Sequence, residues 1–141
     1  MKIVTILCRL LLGLLFFVFG LNIFFHFIPM KMPTVDPSTP YGQVPLAMHF
    51  QTALGQTAWM KVVGGCQVLG GLLVLLGGTA PLGLCVLCPL TLNILLFHLC
   101  LTGGKGIGAG ALAAVLELVL LYAYRASFAG IFTTKARPTP S

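Results

Sequence analysis

The chain reads as an all-α protein: a membrane four-helix bundle with antiparallel neighbours and a short interfacial helix in its first loop. Composition is the first sign. Of 141 residues, 58% are hydrophobic and only 7% charged, whereas a soluble domain carries about 25% charged residues. The mean hydropathy is +1.06. Second, the apolar residues gather into four runs, 3–28, 57–76, 82–101 and 107–128, each near or above the ~20 residues that cross a bilayer as a helix. Third, the last three runs are joined by links too short for anything but antiparallel neighbours. The expected organisation is one transmembrane domain over residues 1–132 and a disordered tail over 133–141. No length remains for a soluble catalytic domain.

The first run is broken only by Arg9, Asn22 and His26. It is longer than the ~7–15 apolar residues of a secretory signal and lacks a small-residue cleavage site, so it reads as a retained, tilted helix. Arg9 lies close enough to its start to snorkel to the headgroups. Pro29 ends it. The connection 29–56 carries prolines at 29, 33, 37, 40 and 45, which exclude a regular helix or a paired strand over 29–44. From Pro45, suited to a first helical position, Leu46, Phe50 and Leu54 recur every four residues on one face. This segment is expected to lie over one mouth of the bundle.

Trp59 opens the second span, as an interfacial indole does. Gly64 and Gly71 share one face, flanked by Gly65 and Gly70, and small residues allow close helix approach in lipid. Gln67 among them needs a partner. Gly77 to Pro81 form a tight turn, with Thr79 as the expected cap of the third span and Pro81 in its first turn. Pro89 removes one backbone hydrogen bond and is expected to bend that helix mildly. A second short loop holds Lys105. The fourth span carries Glu117 near its middle and Tyr122, Tyr124 and Arg125 near its end.

Net charge is +6, but the basic residues stand singly and form no nucleic-acid patch. They follow the positive-inside pattern instead. Lys2, Arg9, Arg125, Lys135 and Arg137 fall on the side of the termini; Lys31, Lys61 and Lys105 fall on the other. The expected location is the plasma (inner) membrane, multi-pass, with both termini cytoplasmic.

The polar residues within the spans are unevenly distributed. With the side of the long loop taken as outer, Asn22, His26, Lys61, Gln67, Asn93, His98 and Glu117 all fall in the outer half. All four helices contribute. Gln67, Asn93 and Glu117 lie within ~3 Å of one depth by helical rise. Asn22 and His26, four apart, share a face. Unpaired polar groups are costly in hydrocarbon, so this asymmetry points to a polar pocket opening beneath the long loop. The competing reading is that single Asn, Gln and His residues merely tie helices together. Desolvation favours a neutral Glu117 that donates to the Asn93 or Gln67 carbonyl; the rival is an ionised Glu117 paired with Lys61.

Cys85 and Cys88 have the spacing of a redox pair, yet the sequence places no base or cation near them, and they read as small apolar packing residues. No Cys/His set has metal-ligand spacing. No phosphate loop, serine–histidine–acid set or nucleic-acid motif occurs.

The segments 9–16, 20–25, 61–77, 81–84, 89–99, 116–118 and 122–125, above all Asn93-Ile94-Leu95-Leu96-Phe97-His98 and the Glu117/Arg125 spacing, resemble the DoxX-like family of small four-helix membrane proteins. The resemblance implies kinship with a membrane subunit of a thiosulfate:quinone oxidoreductase. Cys85 and Cys88 depart from the family pattern. The functional expectation is a membrane protein, or accessory subunit of a redox complex, that holds a quinone-like amphiphile among the seven polar residues. Alternatives are a proton-coupled exporter acting as a homo-oligomer through Gly64 and Gly71, or an assembly partner without ligand.

The topology carries its own test. With native thiols removed, a cysteine at Asp36 should react with an impermeant reagent from outside intact cells, and one at Thr139 only after permeabilisation. Reaction of both from one side would mean an odd number of spans.

Overall fold

The computed structural model describes residues 2–29 and 45–129. Among them every regular element is helical: α1 Lys2–Phe25, α2 Leu46–Gly55, α3 Trp59–Leu76, α4 Ala80–Leu101, α5 Gly108–Ala123 and α6 Arg125–Phe128. Helices α1, α3 and α4 are each long and apolar enough to cross a membrane, so the chain is a multi-pass membrane protein. Their outward faces carry large apolar side chains such as Leu11, Leu14, Leu69 and Leu92, which suit lipid. The expectations for 30–44 and for the tail 133–141 lie outside the described residues.

The four long helices form a ring in the order α1, α3, α4, α5, each packed on the next and α5 closing onto α1. The α1–α3 contact is the most extensive. Gly13 lies against Gly71 and Leu75, and Gly20 against Gly64, Gln67 and Val68. As the contacts climb α1 they descend α3. At the far end of this seam the Arg9 guanidinium rests on Gly77, the left-handed residue (φ 79°) that ends α3. The glycines read from the sequence thus serve two different faces. Gly64 and Gly71 meet α1, whereas Gly70 meets Leu87 of α4. Gly65 lies open.

Element ends differ from expectation for local reasons. Helix α1 stops at Phe25 because His26 adopts φ 51° while its N–H still reaches the Asn22 carbonyl (2.9 Å). Pro45 stands at the N-cap of α2, one position before the first helical residue. Thr79 occupies the N-cap of α4, but its hydroxyl donates back to the Leu73 carbonyl (2.8 Å) and so closes α3. Helix α4 runs unbroken through Pro89. The expected fourth span, 107–128, is interrupted at Tyr124. There the Arg125 guanidinium stacks on the Tyr122 ring (4.4 Å) and donates to the Tyr122 carbonyl (2.9 Å). Helix α5 alone has 16 residues, ~24 Å of rise.

The hydrophobic core occupies one half of the bundle. Leu12, Phe16, Val74, Leu84, Leu87, Ala113, Leu116 and Leu120 interlock there. Helix α2 lies at the other end, against α3 and α4. Its Phe50 ring meets Phe97 at 5.8 Å between centroids, while Leu46 is 57% exposed.

The α1–α3 seam should be sensitive to a single methyl group. A Cβ at Gly71 would stand 2.7 Å from the Phe17 nitrogen and 2.8 Å from the Gly13 oxygen, backbone atoms that cannot rotate away. Gly71→Ala should therefore lower stability by about 1–3 kcal/mol in detergent unfolding. Gly65→Ala, with open space around it, should be neutral or stabilising by up to ~1 kcal/mol.

Candidate functional site

At the α2 end two cavities lie side by side. The first, of about 200 Å³, opens between α2, α3 and α4 and is lined by Phe50, Gln51, Leu54, Trp59, Val63 and Asn93, among others. The second, of about 280 Å³, lies between α1, α4 and α5 and is lined by Leu15, Phe16, Phe19, Ala109, Gly110 and Ala113. Ile23, Met60, Gln67, Ile94 and His98 line both. The walls are mainly apolar, with Gln67 and His98 as the polar side chains common to the two.

Gln67 is positioned by the glycine seam: a Cβ at Gly20 would meet its own Cβ at 2.9 Å. The side chain is 8% exposed, and its Oε1 is buried with no hydrogen-bond partner. A buried acceptor left unmet costs roughly 1–3 kcal/mol. His98 is held by the loop that follows α4. Its Nδ1 lies 2.8 Å from the Lys105 carbonyl. The Thr102 hydroxyl and the Gly104 N–H reach the His98 carbonyl at 2.8 and 2.7 Å. Asn93 is exposed and stands at the open side of the first cavity.

The other four candidate residues lie elsewhere. Asn22 is buried, but its side chain is committed to its own chain, accepting from the Ile28 N–H (2.6 Å) and donating to the Ile28 carbonyl (3.2 Å). It pins the exit of α1. His26 lies past the helix end and is exposed, so it does not share the Asn22 face. Lys61 is exposed and lines neither cavity. Glu117 is 4% exposed and also outside both cavities.

Glu117 has a different partner from those expected. The Thr91 hydroxyl donates to its Oε1 at 2.7 Å, and the Cys88 thiol lies against the same carboxyl. Depth counted along each helix put Glu117 level with Gln67 and Asn93. The rotation of α4 turns Thr91, not Asn93, toward α5. Cys88 and Thr91 are three apart and share that face. The sequence held this signal, a hydroxyl one turn from a thiol, less polar than the Asn93 amide two residues on. It also placed no base near Cys88, whereas the fold sets Glu117 beside it. All five cysteines are free thiols, and among the described residues no group of His, Cys, Asp and Glu is arranged to hold a metal.

No family model, curated protein or solved structure matches the chain.

The buried hydroxyl–carboxyl pair should behave as one unit. Thr91→Val keeps shape and removes the donor, and should cost about 1–3 kcal/mol in thermal or denaturant unfolding. Adding Glu117→Met should recover much of that loss, because removing both partners leaves no unmet polar group. An additive double variant would show that the pair is not coupled.

Proposed function

We propose that this chain is a small-molecule-binding protein of the plasma membrane. Its four long helices form a bundle with antiparallel neighbours, both termini are cytoplasmic, and α2 lies at the membrane interface over the cavity mouth. The ligand is a small amphiphile, quinone-like in having a flat polar head on an apolar body. The head meets Gln67, with His98 and Asn93 beside it, and the body lies along Ile23, Met60 and Ile94. The observation that supports this reading is Gln67, a buried amide with no protein partner for its oxygen, as a side chain common to the linings of two apolar cavities. Ligand sites commonly combine apolar walls with a few convergent polar groups. The DoxX-like resemblance adds a role as membrane subunit or accessory of a redox system. Proton-coupled export is the weaker reading, because Glu117, the carboxyl it needs, lines neither cavity.

Solvent extraction of the purified protein, followed by mass spectrometry, tests this reading. A small amphiphile should co-purify near one per chain and fall several-fold in Phe50→Ala, which opens the cavity mouth. Recovery of bulk lipids alone, together with proton-dependent flux in liposomes, would replace binding with transport.

A further inference from the structure

Cys85 and Cys88 line neither cavity, and the fold gives the two thiols different settings. Cys85 is exposed. With Leu82, Pro89, Leu92, Leu96 and Leu99, all exposed at three- and four-residue spacing, it forms one stripe along α4. In a membrane-spanning helix such a stripe faces lipid, so only a lipid-soluble reactant reaches the Cys85 sulfur. Cys88 is half-buried and packs against the hydrophobic core. Its thiol lies against the Glu117 carboxyl. The Thr91 hydroxyl donates to Glu117 Oε1 at 2.7 Å and fixes that carboxyl in place. One thiol is thus open to the bilayer, and the other stands beside a fixed proton acceptor.

The turn between the thiols is also weakened. Side chains three apart on a helix have Cβ atoms about 5–6 Å apart, whereas a disulfide draws them to about 3.8 Å. Closing that gap requires the turn to tighten. Pro89 has no N–H, so the Cys85 carbonyl lacks the helical partner that would oppose the movement.

We propose that Cys85 and Cys88 are a dithiol–disulfide couple that reduces a lipid-soluble quinone arriving at the exposed stripe of α4, with Glu117 as the base for Cys88. This reaction surface is separate from the two cavities and needs no ligand in them. The Cys85 sulfur adds to a quinone ring carbon, and its proton passes to one quinone oxygen. Cys88 gives its proton to the Glu117 carboxylate, and the thiolate so formed, the nucleophilic form of the group, attacks the Cys85 sulfur. An S–S bond forms as the S–C bond breaks. The released electron pair stays with the ring, and the second quinone oxygen takes the proton back from Glu117. The two sulfurs are oxidised by two electrons, a hydroquinone leaves, and the carboxylate is restored.

The full chain in nanodiscs, reduced and then freed of reductant under argon, would be mixed with decylubiquinone, a fully substituted quinone. Absorbance follows the quinone, and differential alkylation with peptide mass spectrometry locates the oxidised thiols. Close to one quinone should be reduced per chain, with a disulfide between Cys85 and Cys88. Cys85→Ser and Cys88→Ser should each lose the reaction, whereas Cys100→Ser, which removes an exposed thiol elsewhere on α4, should keep it. Glu117→Gln leaves an oxygen for the Thr91 hydroxyl but removes the base, and should slow oxidation about 100-fold while leaving its final extent unchanged. If that variant does not fold, the wild-type thiol map and the serine variants decide without it. Thiols that stay reduced in excess quinone, a disulfide that engages Cys8, Cys66 or Cys100 instead, or quinone reduction that persists in Cys85→Ser would overturn the couple. Oxidation of Glu117→Gln at the wild-type rate would overturn the part given to Glu117.

Discussion

The backbone approach of α1 and α3 governs the rest of the molecule. In lipid, apolar side chains gain little by leaving one hydrocarbon surface for another, so helices associate through close packing and polar contacts. Gly13 and Gly20 on α1 and Gly64 and Gly71 on α3 remove the Cβ atoms that would hold the two helices apart. The seam sets their relative depth and brings Gln67 against Gly20. The place of that amide on the cavity wall follows from the glycines around it. Arg9 over Gly77 closes the same seam at the other end.

A bundle held in this way need not be packed evenly along its length. At the end away from α2, Leu12, Val74, Leu84, Leu87 and Leu120 are all 0% exposed and fill the space between four helices. At the α2 end the ring is filled less completely, and its inward residues include Ala109 and Gly110, too small to reach across. Aromatic groups at the mouth, Phe50 with Phe97 and Trp59 nearby, roof the space without occupying it.

The polar residues inside the spans illustrate three ways of satisfying a group without bulk water. Asn22 turns to its own chain and substitutes for a missing backbone partner at Ile28. Glu117 finds a hydroxyl on the neighbouring helix. His98 gives one ring nitrogen to a loop carbonyl and keeps the other. Gln67 alone among the buried candidate residues keeps an oxygen without a protein partner. That contrast arises from the direction in which each side chain points, not from depth or residue type.

Composition and the lengths of the apolar runs determined that this is a helical membrane protein, because hydrocarbon admits few ways to satisfy a backbone and helices are the local one. Short links, terminal prolines and glycine spacing were legible for the same reason: each acts within a few residues of itself. Even the excess of polar groups toward the α2 end could be counted along the chain, since helical rise converts position into depth. Rotation about each helix axis could not be counted. It decided that Thr91 and not Asn93 faces Glu117, that Lys61 faces outward, and that Gln67 and His98 share a wall. Depth is a one-dimensional property that sequence carries; which side chains meet depends on how four helices turn toward one another, and only their packing sets that.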